Sequence, residues 1–311
     1  MMNKIAVLGA NPALQKTMFF KEFRYGEVNR ARRLESFPSG KGINFCRAAA
    51  SWGRAAGVLF QFSGGENGKF VTDGITAEGM EFFNTPISGN TRCCTTCLDE
   101  KNRVMTELIE PSVAATPAEA ASLLADFKRE LPAVNAAAIC GTLPDGTDYA
   151  LYHQIAAEAH RAGKMILFDA WKNLTPCLNE GRNILKINRE ELAGLTGCAD
   201  LHTALYDLFR KYALEFAAIT DGAKTAFASD GRNLFVYDIP QVADVVNPIG
   251  CGDTASAVML SEISCGTGFA QAFHLALAAA SANCLTSMPG SFDRETAQAF
   301  AAASSYRCET L

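Results

Sequence analysis

The sequence predicts an α/β domain of three layers, helices over a mostly parallel central sheet over helices, with a small β-sheet lid. Three observations predict it. Short apolar runs alternate with helical stretches through most of the chain. Glycine-rich turns fall at the carboxyl ends of several of those runs, where open α/β sheets bind their ligands. Between about 81 and 110, extended runs follow one another with no helix between them, which suits a separate small sheet.

Taken in order, Lys4 to Gly9 reads as a buried strand ending in a Gly-Ala-Asn-Pro turn. A polar, basic segment leads through Gly26-Glu27-Val28-Asn29-Arg30 to Ser39-Gly40-Lys41-Gly42-Ile43-Asn44 and a helix around Cys46 to Trp52. Gly57 to Ser63 is a second strand, followed by a glycine-rich turn and a helix to about Gly79. The extended runs Glu81–Pro86, Thr91–Leu98 and Val104–Ile109 come next. One domain over 1–311 is expected, with lid strands contributed by about 11–38 and 81–110.

The second half alternates regularly. Thr116-Pro117-Ala118-Glu119 is a capping box with proline at the first helical position, opening a helix to about Leu131. Strands are expected at Ala136–Cys140, Met165–Asp169, Ile184–Ile187 and Phe216–Thr220, with a helix from about Asp148 to Ala162. Asn188 begins a helix carrying Glu190 and Glu191, and helices follow Asp253 and run from Phe269 to Leu285. Such alternation predicts parallel strands covered on both faces.

Composition narrows the class. The 311 residues are 49% apolar and 20% charged, with a formal net charge of -5, so nothing draws the chain as a whole to nucleic acid or an acidic membrane. Eleven scattered cysteines, an odd count, suit free thiols in a reducing cytoplasm. Cys94-Thr95-Thr96-Cys97 has no second pair and lies in a strand-like run, so it is not read as a metal site. Ile5–Leu8 is too short for a secretory core, and Ala276–Leu285 falls short of a membrane span. The expected location is the cytoplasm.

The chemistry concentrates at Val246-Asn247-Pro248-Ile249-Gly250-Cys251-Gly252-Asp253-Thr254. Asn247-Pro248 disfavours helix before the glycines, and Asp253 or Thr254 can cap a helix starting just after them. Backbone N–H groups at such a terminus favour an anion. A carboxylate there would repel a resting phosphate, so Asp253 makes sense as a base beside N–H groups that hold developing charge. Gly250-Cys251-Gly252-Asp253 alone reads as an ordinary loop with a capping aspartate. Its company changes that reading: Gly40 and Gly42 permit close backbone approach to a ligand, Lys41 adds a point charge, and Asn44 can donate and accept.

With Asn11-Pro12-Ala13-Leu14, Thr106-Glu107-Leu108-Ile109-Glu110-Pro111, Gly141-Thr142-Leu143-Pro144, Lys186-Ile187-Asn188-Arg189-Glu190-Glu191-Leu192, Thr220-Asp221-Gly222 and Ala282-Asn283-Cys284-Leu285, these stretches resemble the PfkB-type carbohydrate kinases of the ribokinase-like fold. The resemblance runs from about Lys4 to about Phe300 and is nearest the 1-phosphofructokinase and tagatose-6-phosphate kinase branch. It implies ATP and Mg2+ as cofactors. It assigns the acceptor's proton to Asp253 and the anion hole to Gly250, Cys251 and Gly252. Asn188 and Glu191 match an Asn-x-x-Glu element that positions the metal and nucleotide phosphates, with Glu191 toward the metal. Thr220 and Gly222 fall where the family contacts nucleotide, Asn283 lies in the helix walling the adenine pocket, and Lys186 can add charge near the phosphates.

On the substrate side the resemblance implies Gly40, Lys41 and Asn44. Lys41 and Arg92 are the candidates for a phosphate already on the substrate, which in a closed site needs charge-assisted bonds. The chain departs from the family at Gln15, where an aspartate usually accepts from sugar hydroxyls, at Ser39, at Cys251 and at Asp221. Gln15 leaves the acceptor open. The leading reading is a kinase of a phosphorylated sugar, a ketohexose phosphate. The alternatives are a kinase of an unphosphorylated sugar or nucleoside, and a sugar- or nucleotide-binding protein on the same scaffold. Lid strands that pair between subunits would make a homodimer.

Overall fold

The computed structural model describes residues 2–311. In chain order the first part forms β1 (Asn3–Leu8), β2 (Ala13–Phe20), β3 (Arg33–Ser39), α1 (Lys41–Trp52), β4 (Ala55–Ser63), α2 (Gly65–Ala77) and β5 (Glu81–Pro86). Next come β6 (Cys93–Asp99), β7 (Val104–Ile109), α3 (Pro117–Glu130), β8 (Ala136–Cys140), α4 (Ala150–Arg161) and β9 (Met165–Asp169). The rest forms β10 (Arg182–Asn188), α5 (Arg189–Thr196), α6 (Leu201–Lys211), β11 (Leu214–Thr220), β12 (Thr225–Ser229) and β13 (Asn233–Asp238). Three helices, α7 (Cys251–Ser264), α8 (Phe269–Asn283) and α9 (Arg294–Ala303), precede a last strand, β14 (Tyr306–Thr310).

The main sheet has ten strands in the order β14-β13-β12-β11-β10-β9-β8-β1-β4-β5. From β5 to β11 every neighbouring pair is parallel, and the β12, β13 and β14 edge is antiparallel. Because parallel strands are buried on both faces, their sequences are unbroken apolar runs, such as the Ala-Ala-Ala-Ile-Cys of β8. Alternate side chains feed two cores. Leu8, Phe60, Ile139, Phe168 and Ile219 pack with Phe127 of α3, Ile155 of α4 and Leu205 of α6. Ile5, Val7, Leu59, Leu167 and Ala218 face Phe45 of α1, Val258 of α7 and Phe273 of α8 on the other side. The alanine-rich α7 and α8 lie in this second layer, where small side chains let them pack closely together and on the sheet.

The second sheet has four strands in the order β3-β2-β6-β7. It corrects one expectation. Glu81–Pro86 does not join the lid; β5 extends the main sheet parallel to β4, and the lid is built from β2, β3, β6 and β7. The helix α2 between β4 and β5 is the connection a parallel pair requires, so the preceding helix was the deciding cue.

Local signals set the boundaries. At α3 the Glu119 N–H donates to Thr116 Oγ1 while the Thr116 N–H donates to Glu119 Oε2. Asn188 and Glu191 close the same box at α5, with bonds of 2.8 and 2.9 Å. A second correction concerns α7, which begins at Cys251 with Gly250 as its N-cap. Asp253 thus lies inside the first turn and caps nothing. Its carboxylate is left for other work.

Candidate active site

The glycine-rich turns and the lid converge at the carboxyl ends of the parallel strands on two cavities. The first, of about 430 Å³, is lined on the lid side by Gln15, Arg92, Cys94 and Glu107. The main body closes it with Gly40, Lys41, Asn44, Asp169, Lys186, Asn188, Glu191, Gly250, Gly252 and Asp253. The second, of about 340 Å³, is mostly apolar and lies between Gly222, Ile239, Pro240, Val245, Ala255, Leu277, Ala280 and Cys284. Thr220 and Gly252 line both, so the chambers meet at the amino end of α7.

Gly250 makes that turn. Its φ of +82° is left-handed, and a Cβ there would lie 2.7 Å from Pro289 Cβ and 3.0 Å from the Gly290 nitrogen. No side chain caps α7, and its first backbone bond is from the Thr254 N–H to the Gly250 carbonyl. The N–H groups of Cys251, Gly252 and Asp253 therefore have no backbone acceptor among the described residues. They form a nest of donors at the positive end of a long helix.

Asp253 is 7% exposed, and its Oδ2 accepts from Asn44 Nδ2 at 2.7 Å. Burial raises its pKa above the ordinary carboxylate value, and Asp169 pushes the same way, against Lys41 and the Asn44 hydrogen bond. Asn44 is itself held by Ser39 Oγ, which donates to its Oδ1 at 3.2 Å. Gly40 admits this approach of chains: its φ is +123°, and a Cβ would stand 2.9 Å from Pro12 Cα.

The structure adds a residue that sequence reasoning passed over. Asp169, 2% exposed at the end of β9, accepts from Lys41 Nζ at 2.8 Å, Lys186 Nζ at 3.2 Å and Ser256 Oγ at 2.6 Å. Burial opposes its ionisation, but the two lysines outweigh burial and hold its carboxyl well below the usual range. The Lys41 side chain is 41% exposed at the cavity; the protein walls around it oppose its charge, and Asp169 with Asp253 overcomes that and raises its pKa. The signal was a charged residue ending a buried apolar run at the carboxyl end of a parallel strand.

The remaining sequence-predicted residues divide. Gln15, Gly40, Lys41, Asn44, Arg92, Lys186, Asn188, Glu191, Gly250, Gly252 and Asp253 share the first chamber. Cys251 and Gly222 line the second, and Thr220 lines both. Lys186 is buried at the strand end: it is 5% exposed and its Nζ stands 2.9 Å from where a Gly252 Cβ would be. Asn283 does not face the nucleotide-sized chamber. It donates to the Ile249 carbonyl at 2.9 Å and accepts from the Gly290 N–H at 2.7 Å, so it braces the turn, while Leu277, Ala280, Ser281 and Cys284 do the lining. Gln15 Nε2 is committed to Thr96 Oγ1 at 2.8 Å. Arg92 Nη2 donates to the Asn11 carbonyl at 3.1 Å, and its Nε is buried without a partner.

Residues 2–296 match the family described as pfkB family carbohydrate kinase. The chain belongs to that family. As a pfkB-family kinase it is a phosphotransferase, and kinases of this family use ATP as phosphate donor, generally with Mg2+. A possible 1-phosphofructokinase of Thermotoga maritima has a similar structure, with TM-score 0.88, 20% identity, and 99% of each chain covered. Escherichia coli phosphofructokinase-2 in its tetrameric inhibited form matches with TM-score 0.85 and 19% identity, over 97% of this chain and 99% of that one. Ribokinase of Arabidopsis thaliana, solved with ribose and ATP, matches with TM-score 0.76 and 16% identity, over 97% and 99%. The fold is ribokinase-like. No helix among the described residues of this pfkB-family kinase is long and apolar enough to cross a membrane.

Proposed function

We propose that this pfkB-family kinase transfers the γ-phosphoryl group of ATP to a hydroxyl of a phosphorylated sugar, a ketohexose phosphate. The observation that carries the reading is the two-chambered site. A mostly apolar chamber suited to a nucleobase opens beside a polar one suited to a sugar, and at their junction a buried carboxylate stands beside free N–H donors.

Asp253, with its raised pKa, takes the proton from the acceptor hydroxyl as the phosphorus–oxygen bond forms. Asn44 fixes the direction of that carboxylate. The N–H groups of Cys251, Gly252 and Asp253 receive the charge that builds on the transferring group, with Lys41 and Lys186 beside them. Positioning in a cavity closed by the lid supplies most of the rest.

Among the described residues no three His, Cys, Asp or Glu side chains could hold a metal alone. Mg2+ is usually held by one or two carboxylates, waters and substrate phosphates, and the polar chamber offers the Glu191 carboxylate for that. Glu191, one oxygen tied to the Asn188 N–H and its carboxylate on the cavity, is the carboxylate we assign to it. When bound, the cation neutralises phosphate charge.

Arg92 is our candidate for the phosphate already on the acceptor, since Lys41 is committed to Asp169. That commitment, and the neutral Gln15, also support a second reading in which the acceptor is an unphosphorylated sugar. We further propose a homodimer through the lid, because Leu34, Val104 and Leu108 are 51%, 54% and 55% exposed on the lid face opposite the chamber.

The test is ADP release with Mg-ATP across fructose 1-phosphate, fructose 6-phosphate, tagatose 6-phosphate, free ketohexoses, ribose and nucleosides. Turnover with a ketohexose phosphate, lost in Asp253→Asn, supports the first reading. Turnover only with an unphosphorylated acceptor moves the second to the front.

A further inference from the structure

Cys251, the first residue of α7, and Cys284, which caps the end of α8, bring their sulfurs to 3.1 Å of each other. Both line the apolar chamber. Both are partly accessible, whereas Cys46, Cys140 and Cys177 are buried singly elsewhere. No other sulfur pair among the described residues makes such a contact.

We propose that Cys251 and Cys284 are a dithiol modification site for hydroperoxides, whose oxidation to a disulfide closes the nucleotide chamber and disables the anion-binding turn. The proposal rests on the kinase reading only for its consequence; the chemistry rests on the sulfur pair.

The division of labour is visible in the surroundings. The two thiols share one hydrogen bond in which either sulfur can donate; with Cys251 as the donor, that bond lowers the Cys284 pKa and, with burial, raises that of Cys251. Cys284 is thus the sulfur that attacks first. Its thiolate attacks the terminal oxygen of a hydroperoxide, ROOH, breaking the O–O bond and displacing alkoxide, which takes up a proton and leaves as ROH while Cys284 becomes a sulfenic acid. Cys251 then loses its proton and attacks the Cys284 sulfur, forming the S–S bond and expelling hydroxide, which leaves as water. Two thiols are oxidised by two electrons, one hydroperoxide is reduced, and ROH and water leave.

The consequence follows from where the sulfurs are attached. A disulfide needs the sulfurs about 1 Å closer than they stand. Cys251 is in the donor turn itself, and the N–H groups of Val246 and Asn247, which lead into that turn, both donate to the Cys284 carbonyl, at 2.8 and 3.2 Å. Asn283, which braces the turn, also reaches Cys251 Sγ at 3.3 Å. Drawing the sulfurs together therefore pulls on the turn that carries the donors and on the stretch of chamber wall that both cysteines line.

The experiment treats the full-length protein with hydrogen peroxide and reads two things separately. Peptide mapping by mass spectrometry is expected to find Cys251 linked to Cys284 with the loss of two hydrogens, formed more slowly in saturating Mg-ATP. Turnover is expected to fall on the order of 100-fold, the scale of losing one anion-hole donor, and to return with dithiothreitol. Cys284→Ser, compared with its own untreated rate, is expected to keep its activity through the same treatment. Failure of the linkage to form, linkage with full turnover, or equal inactivation of Cys284→Ser overturns the proposal. Mapping needs no acceptor. An absence of turnover with every acceptor would therefore count against the kinase reading while the linkage and its slowing by nucleotide were still measured.

Discussion

Asn44 Nδ2 donates to Asp253 Oδ2 at 2.7 Å, joining two residues 209 positions apart in the chain. The glycine turn at Gly40 and the helix that carries Asp253 are thereby locked to one another. Asn44→Ala is expected to lower kcat by about tenfold to a hundredfold, because a misdirected base loses near-attack geometry. The KM for ATP should stay within about twofold, since Asn44 does not line the apolar chamber. Steady-state kinetics with either substrate varied check the split, and an equal rise in both KM values with kcat unchanged would contradict it.

The pH profile follows from the direction of the Asp253 shift. Its pKa is raised by burial, so the ionised, base-competent form is lost as pH falls through a value above the ordinary carboxylate range. The acid limb of kcat/KM should therefore lie higher than that of a solvated aspartate. Asp253→Asn should lose about a thousandfold in kcat at every pH while still binding nucleotide. An acid limb at or below the ordinary aspartate value would exclude Asp253 as the titrating base.

Asp169 shifts the other way, and the sign reverses. Its folded pKa is lowered, so its ionisation contributes stability above the unfolded carboxylate value, and that contribution is lost as pH falls toward the folded value. Asp169→Asn leaves Lys186 buried without its counter-ion and should destabilise the fold by about 3 kcal/mol near neutral pH. It should also flatten the acid limb of stability. Urea denaturation from neutral to acid pH, wild type beside variant, measures both.

Gly250→Ala tests the turn. A methyl at φ +82°, 2.7 Å from Pro289 Cβ, forces the backbone to move, at a cost of about 1–3 kcal/mol. Turnover should fall further than the thermal midpoint suggests, because the displaced atoms include the donors. A variant that melts early but turns over normally once folded would separate the turn from the chemistry.

Arg92→Ala addresses the acceptor. If Arg92 holds a phosphate, its loss raises the KM for a phosphorylated acceptor by about tenfold to a hundredfold and leaves that for a free sugar unchanged. Equal effects on both would assign Arg92 to the structure of the lid, through its bond to Asn11.

Much of this was legible in the sequence because the relevant signals are local. Capping boxes at Thr116 and Asn188, glycines needing positive φ, and apolar runs with alternating helices each act within a few residues. The placing of Gly40, Asn44 and Asp253 at one end of the sheet was legible from the glycine-rich turns that follow its strands, and the resemblance added their roles. What stayed hidden depends on partners distant in the chain. Asp169 looks like any strand-end aspartate until Lys41, Lys186 and Ser256 are folded onto it. Asn283 has the right helix but the wrong direction, and β5 has a strand's sequence that suits either sheet. The strands β12, β13 and β14 carry weaker local signals and take their form from the sheet edge, whereas α6 and α9 each open with a capping aspartate, Asp200 and Asp293, that sequence reasoning passed over.

The lid's topology fixes an order of events during synthesis. β2 and β3 leave the main sheet after β1, yet β2 pairs with β6, which emerges only after β4, α2 and β5. The first hairpin must therefore wait, unpaired on one side, while the ribosome delivers its neighbour. By contrast, everything that touches the nucleotide-sized chamber emerges from Thr220 onward. A growing chain can thus build the lid and the Gly40 turn well before it owns Asp253 or the donor turn. Both chambers are completed only once the last third of the protein has left the exit tunnel.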